Sequence, residues 1–517
     1  MTSLSAQFSH KIKTPQELRD ILGPMPRKKK AIMCHGVFDV VHPGHVRHLV
    51  YAKSKADILI ASLTADRHID KGHYRPHVPQ DLRALNLAAF EMVDYVVFDD
   101  NPTPIENLEI IQPDFYAKGY EYNPEQKLNP RTQREIEVLE EFGGKMIFTP
   151  GDIVYSSSHL INLAPPSIRS EKLLSLMEAA GVTFDDLRDA LDAMAGKAVH
   201  VVGDTIVDSY TYCAMIGGQT KTPTLSVLFD RKVDYVGGAG IVAKHMKAAG
   251  AAVVFSTVLG DDALKDFVLD DLAKAGVNVR AVIDPTRPTV NKNAVVANDY
   301  RLLKIDTLDN RPISDDILAN LVEEISTVPC DALVFSDFRH GMFNKRTIPQ
   351  LCEAIPDKVL KVADSQVASR WGNITEFQGF DLVTPNEREA RFALADQDSN
   401  IAALSDSLIR AGQAGMLVLK IGPRGVVVRV KDMPAPHDFF GVDSFVNNLV
   451  DAVGAGDALL AYATLARLVS PHPAVAAILG NMAAACECEY DGNVPVTPDN
   501  VRAKIALVER EVRFEED

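Results

Sequence analysis

Apolar positions fall into two blocks in which short unbroken runs alternate with helical stripes. In the first block, residues 31–35 (AIMCH) and 58–63 (ILIASL) are apolar runs of strand length. Between them Val46, Leu49 and Val50 recur at helical spacing. Strand, helix and strand in that order make a βαβ unit, which requires a parallel sheet. Pro79 predicts the start of a further helix over DLRALNLAAFEMV, and strands are expected at 94–98, 114–117 and 145–149. The second block opens after Lys197 with AVHVVGD. It predicts strands near 252–257, 332–336, 359–364, 381–384 and 416–421, with helices between them. Residues 166–195 hold two short amphipathic helical patterns, and Pro165–Pro166 marks the end of the first block. The expected organisation is an α/β domain over 26–165, a helical linker over 166–195 and a large α/β domain over 196–510.

Composition narrows the function classes. A chain of 517 residues is too long for one ordinary domain, and 46% apolar with 24% charged residues is a globular balance. A formal net charge of −16 argues against a nucleic-acid partner, because neutralising phosphates along a duplex takes basic surface. The basic run Arg27–Lys30 reads as a solvated lead-in to the first strand. The start of the chain has no apolar signal-peptide core, and no run of about 18 apolar residues occurs anywhere. Six cysteines without a Cys-x-x-Cys pair suggest a reduced compartment. Cys486 and Cys488 sit in an alanine-rich helical stretch, two residues apart and so on different faces, which favours a structural role. The expectation is a cytoplasmic protein without a membrane partner, assembled as a homo-oligomer.

Two short constellations carry chemistry. GVFDVVHPGH at 36–45 lies between a predicted strand and a predicted helix. Pro43 suits the first helical turn, Gly44 permits close approach of the backbone, and free amides at the helix start beside His42 and His45 suit a triphosphate. Taken alone, the two histidines are equally well read as surface turn residues. The stretch 31–165 resembles the cytidylyltransferase-like nucleotidyltransferases, whose His-x-Gly-His follows the first strand. Lys71-Gly72 with Arg75-Pro76 is similar to that family's basic loop. YSSSHLIN at 155–162 is similar to its closing helix start, with serines in place of the usual threonines. The resemblance implies attack of a phosphate oxygen on the α-phosphorus of a nucleoside triphosphate. His42, His45 and Lys71 would stabilise charge in that step. Phe38, Gly44, Lys118, Ser156 and Ser157 would border the nucleotide and its phosphates, with Mg²⁺ bound alongside.

The second constellation is DAVGAGDALLAYATLA from Asp451. Gly454, Ala455 and Gly456 are small enough to bring backbone amides against a phosphate at a helix start, and Asp457 is then placed to accept a hydroxyl proton. Gly-Ala-Gly-Asp by itself also reads as a helix start with a capping aspartate. Residues 196–510 resemble the ribokinase-like (PfkB-type) sugar kinases, which implies ATP as substrate. Gly203-Asp204, Gly237-Gly238-Ala239 and Asn386-Glu387-Arg388-Glu389 match the family's elements in order. The match assigns Asp204, Gly237 and Gly238 to the sugar, Asp451 to the anion loop, and Asn386 and Glu389 to Mg²⁺. The segment KIGPRG at 420–425, with Gly422 and Gly425, and Asn481 are expected beside the nucleotide.

TPTLSV (222–227), LVFSDFRHG (333–341), KVADSQ (361–366) and LVTPNERE (382–389) look like the kinase domain of bacterial ADP-heptose synthesis enzymes, which carry both activities on one chain. The domain order here is the reverse. Gly240-Ile241 also replaces the usual Ala-Asn, an asparagine that contacts sugar in such kinases. Lys221, Lys292 and Lys304 are candidate holders of a distal sugar phosphate, or simply surface lysines. The expected fold is thus a Rossmann-like nucleotidyltransferase domain followed by a ribokinase-like α/β domain. The expected function is sugar activation to a nucleotide-sugar from small-molecule substrates. Two rivals remain: a glycerol-phosphate-type cytidylyltransferase fused to an unrelated sugar kinase, and one domain kept as a non-catalytic regulator.

Overall fold

The computed structural model describes residues 7–41, 43–69, 76–119, 130–148, 169–216, 225–297, 300–366, 373–435, 437–490 and 492–513. The chain divides into two units, one built on Met1–Ser175 with two short later segments, the other on the remainder from Leu176.

The first unit is a six-stranded parallel sheet. Its strands are β1 (Ile12–Lys13), β2 (Ala31–Gly36), β3 (Ile58–Thr64), β4 (Tyr95–Asp99), β5 (Phe115–Lys118) and β6 (Lys145–Phe148), ordered β1-β4-β3-β2-β5-β6. Successive side chains of a strand point to opposite faces. Ile32 and Cys34 accordingly enter one apolar cluster with Leu49 and Leu59, while Ala31 and Met33 enter another with Ile60 and Tyr116. Burial on both faces is why these strands are nearly continuous in apolar residues.

Three expectations change. The sheet begins ahead of residue 26: Thr14 and Glu17 form a reciprocal capping box at the helix Pro15–Leu22, and β1 pairs with β4. A two-residue strand is too short to show a period. The helix after Pro79 spans Gln80–Ala88 and stops short of the apolar residues that follow. Arg27 is not solvated: its side chain is buried 3.5 Å from Asp114 and donates to the Gln112 carbonyl at 2.7 Å. Lys30 joins the same carboxylate at 2.8 Å.

The second unit carries a nine-stranded and a four-stranded sheet. Its strands are β7 (Ala198–Gly203), β8 (Thr205–Met215), β9 (Val227–Gly238), β10 (Ala252–Leu259), β11 (Asn278–Ile283), β12 (Asn291–Ala297) and β13 (Tyr300–Thr307). They continue as β14 (Ala332–Asp337), β15 (Leu360–Ser365), β16 (Leu382–Val383), β17 (Met416–Lys420), β18 (Val426–Val430) and β19 (Phe439–Val442). The large sheet runs β11-β10-β7-β14-β15-β16-β17-β18-β19, and β8, β9, β12 and β13 form the smaller one. The predicted parallel strands are present, with the expected 381–384 shortened to Leu382–Val383. Helices Ala455–Val469 and Pro473–Cys488 pack closely, since a Cβ on Gly480 would lie 3.1 Å from both Ala463 Cβ and the Leu459 carbonyl. Cys486 and Cys488 are buried near the end of the latter helix, and burial pushes Cys486 up to about 12. The helix Phe184–Ala193, expected as part of a linker, packs within this unit, with Arg188 paired to Glu509 and Arg502 to Asp192.

Candidate active sites

In the first unit the chain runs outward from β2 through β3 to β4, then returns to the other side of β2 as β5. In open α/β sheets ligands bind at the carboxyl ends of strands where the order reverses in this way. The loop after β2 and the helix Pro43–Lys53 lie at this reversal, so Gly44 and His45 occupy a helix start at the crevice. Phe38 has φ 49° and is buried; its ring packs against Gly36 and stands 5.2 Å from the His45 ring. It shapes the loop from within the core. Asp39 accepts the His77 and Val78 amides at 2.7 and 2.9 Å. Arg83 is fully buried and binds the Val37 carbonyl, the Thr64 carbonyl at 3.0 Å and the Asp66 carboxylate. These two side chains fix the loop against β3.

Lys118 ends β5 in an ion pair with Glu135 and donates to Thr132 at 3.1 Å. A cation already matched in this way offers less to a phosphate than a solvated one. Sequence reading missed the group beside it. His35 at the end of β2 lies 3.0 Å from Ser62, 3.2 Å from Thr64 and 3.4 Å from Asp99. Burial, helped by Lys118, pulls the imidazole down to about 4, and burial pushes Asp99 up to about 7. His35 is therefore a neutral imidazole at pH 7. Predicted residues His42, Lys71, Ser156, Ser157 and Lys221 lie outside the described residues.

In the second unit the helix Ala455–Val469 begins at the glycine-bearing motif, and Asp364, Lys420, Asp208 and Glu389 lie near enough to act on Asp457 in its first turn. Gly454 is its N-cap with φ 83°, and a Cβ there would come within 2.8 Å of Asn493 and Glu487, so glycine is required. Asp457 in the first turn is buried, and its Oδ1 has no hydrogen-bond partner. Burial, with Asp364 beside it, raises this carboxyl to about 8, against the pull of Lys420. Asp451 accepts the Val453 amide at 3.2 Å and Arg301 at 3.3 Å, orienting the loop. Arg301 comes from β13, next to a bulge at Leu302, the residue left unpaired where the register shifts across from Val295 and Val296 of β12; bulges are a device that re-aims side chains.

Asn386 and Glu389 form a reciprocal cap on the helix Glu387–Leu394, with Asn386 donating to the carboxylate from its amide nitrogen at 2.7 Å and from Nδ2 at 2.6 Å. Asp204 accepts the Phe338 and His340 amides at 3.0 and 3.2 Å, and burial raises its carboxyl. A Cβ on Gly238 would come within 2.5 Å of the Asp204 carbonyl, and one on Gly237 within 2.1 Å of Asp208. Lys292 on β12 is opposite Asp208 in register and lies 5.7 Å over the Phe338 ring. Burial lowers its pKa, as does nearby Lys304.

Ile241 is fully buried, and Asn481 spends its amide on the Val442 and Asp443 carbonyls at 3.1 and 2.9 Å. Asn481 thereby holds the loop below Gly425, where a Cβ would meet the Val442 carbonyl at 2.1 Å. Gly422 is left-handed, with φ 63°. Unforeseen here are Asp364 and Glu487, the latter a buried acid that burial and Asp457 push up to about 8. The usable signal for Asp99 and Lys420 is a polar residue ending a buried strand, with His35 and Asp364 each one residue short of such an end.

Residues 197–500 match the family described as pfkB family carbohydrate kinase, and residues 33–162 match the cytidylyltransferase-like family. "Bifunctional protein HldE" of Bradyrhizobium sp. strain ORS 278 is 27% identical over 62% of this chain and 65% of its own length. The protein of that name in Campylobacter concisus strain 13826 is 36% identical over 28% of this chain and 31% of its own. The chain thus spans less than two thirds of these relatives. Escherichia coli phosphofructokinase-2, solved with substrates and products, superimposes with a TM-score of 0.50 at 18% identity, over 61% of this chain and 100% of that one.

Proposed function

The chain belongs to the pfkB family of carbohydrate kinases, and on that premise we propose a bifunctional sugar-activating enzyme. The second unit phosphorylates a sugar at its anomeric hydroxyl with ATP. The first unit then transfers a nucleotidyl group to the sugar 1-phosphate, releasing pyrophosphate. The observation that carries the reading is Asp457, a buried carboxylate with an unpartnered oxygen one turn into a helix that opens on small residues. Such an oxygen can take the sugar hydroxyl's proton as that hydroxyl attacks the γ-phosphorus, while the helix-start amides meet the charge that builds.

Mg²⁺ fits the donors present. Asn386 occupies one site on each Glu389 oxygen, leaving lone pairs for water, and this cation keeps several waters and binds chiefly through phosphates. Bound there, it would neutralise phosphate charge, with Asn386 and Glu389 holding its water shell. In the first unit Gly44 and His45, with His42, Lys71, Ser156 and Ser157, would receive the triphosphate. His35 stays neutral near the end of β2.

The sugar is read as heptose 7-phosphate-like, from the resemblance to ADP-heptose synthesis and from Lys292. A half-buried cation facing Asp208 and Asp204 can grip a distal phosphate. Ile241 offers no polar atom, so one hydroxyl met by asparagine elsewhere must find another partner or be absent. A coupled assay over sugar phosphates, their epimers, deoxy analogues and unphosphorylated sugars, with each nucleoside triphosphate in turn, tests this. We expect kcat/KM to favour a 7-phosphorylated heptose with ATP, and Lys292→Gln to erase about tenfold of that preference, the worth of about 1.4 kcal/mol. Preference for an unphosphorylated pentose or hexose defeats the sugar assignment.

Homo-oligomerisation is read from the four-stranded sheet, where Leu228, Phe229, Leu303 and Ile305 are 61%, 63%, 53% and 49% exposed. Large apolar side chains exposed on both edge strands of a sheet, β9 and β13, suit an interaction surface. Sedimentation equilibrium should return more than one copy per particle, and Phe229→Asp with Leu303→Asp should return one. A monomeric wild type refutes it. Among the described residues no helix is long and apolar enough to cross a membrane, which accords with a cytoplasmic setting for such substrates.

A further inference from the structure

The kinase cleft holds a buried lysine that neither the glycine loop nor the Asn-x-x-Glu element accounts for. Lys420 ends β17, and its ammonium lies 3.1 Å from both oxygens of Asp364 on β15. Asp364 also accepts the Thr384 hydroxyl at 3.1 Å. The Lys420 backbone is bridged to Asn386 and donates to the Pro385 carbonyl at 2.9 Å, so the strand end is fixed beside the helix Glu387–Leu394. Its side chain runs along the start of the helix Ala455–Val469, where a Cβ on Gly456 would lie 3.3 Å from Nζ and 3.8 Å from Cδ. Gly456 is in the first turn, where the amides ahead of Asp457, which bonds the Gly454 carbonyl, can face a bound phosphate as at any helix start.

Charge points the same way. Asp364 and Glu389 act on Lys420, as does Asp457 once it is ionised. A cleft with that many acids repels a triphosphate unless a cation stands among them. Both Asp364 oxygens stand 3.1 Å from the ammonium, so its charge is matched where it is buried. If pairing Asp364 were its only task, an apolar pair would serve as well, because a buried ion pair contributes little net stability.

We propose that Lys420 is a catalytic residue of the kinase half-reaction, its ammonium turning from Asp364 to the transferring phosphoryl group. The inference rests on the kinase reading above. The sugar oxygen bonds to the γ-phosphorus as the bond from that phosphorus to the β–γ bridging oxygen breaks. The hydroxyl proton passes to Asp457, and ADP leaves with the bridging oxygen. Lys420 meets the charge spread over the phosphoryl oxygens in that step, and Asp364 parks it in the empty site. Thr384 keeps one Asp364 oxygen hydrogen-bonded when the lysine turns away.

The test uses the full chain and kinase turnover on heptose 7-phosphate, with inhibition constants for ADP and for β,γ-methylene-ATP. Both constants report the kinase site alone, and their ratio isolates the γ-phosphoryl group. Lys420→Met should lower kcat by about 10²-fold, the usual cost of losing one such donor. The β,γ-methylene-ATP constant should rise about tenfold while the ADP constant moves less than about twofold, the first change corresponding to one unit of log K. Lys420→Arg should recover part of kcat. Because Lys420→Met strands a buried carboxylate, the neutral double variant Lys420→Met/Asp364→Asn is measured beside it and should show the same pattern. Parallel rises in both inhibition constants, or a double variant with wild-type kcat, overturn the inference. A wild type without kinase turnover on any sugar or sugar phosphate of the panel overturns the kinase reading instead.

Discussion

Asp457→Asn should lower sugar phosphorylation by about 10²-fold or more, the contribution of a positioned general base. The substitution keeps the shape of the side chain and removes only its capacity to take a proton. Nucleotidyl transfer from a supplied sugar 1-phosphate should persist, since that chemistry belongs to the other unit. The wild-type pH profile carries a second signature. Burial raises Asp457 to about 8, so the base is mostly protonated at neutral pH in the free enzyme. A raised carboxyl pKa means that the active, ionised form is lost as pH falls through about 8. The value of kcat/KM should therefore climb with pH and level off above that point. Asp457→Asn should flatten this limb. Near-normal turnover in the variant, or a wild-type profile level from pH 6 to 9, would remove Asp457 as the base.

His45→Ala should reduce pyrophosphate release by about 10²–10³-fold, the cost of one donor aimed at developing charge. His42→Ala is expected to do the same, while ADP formation by the kinase continues in both. A structural contribution from His45 must be separated, because its ring stands against Phe38 in the buried loop. His45→Asn keeps a donor, so it should retain more transfer than His45→Ala at equal thermal stability. Full transfer in both alanine variants would mean that the first unit has been misread.

What was legible in the sequence follows from where the information lies. Strands such as AIMC and ILIASL are buried on both faces, so their apolar runs are unbroken. The four-stranded sheet was not legible. β9 reads VLFDRKVDYVGG and β13 reads YRLLKIDT, with exposed and charged residues breaking any period-two pattern. Arg27 was misjudged because a basic run looks solvated until Asp114, brought alongside by β5, supplies its partner. The two glycine-bearing motifs were visible since each is contiguous. The Lys420–Asp364 pair was not, since its partners stand 56 positions apart and meet only through the order of the parallel strands. His35 and Asp99, on β2 and β4, were hidden for the same reason.

The bulge at Leu302 has a thermodynamic consequence. Beside it Arg301 reaches from β13 to Asp451, so one side chain ties the small sheet to the loop before the helix Ala455–Val469; on the proposed function these border the sugar and the nucleotide. An occupant that orders either surface then prepares the other, and linkage of this kind is reciprocal. Whatever factor the sugar lends to nucleotide affinity, the nucleotide must return to the sugar, so synergy measured from one side fixes it from the other.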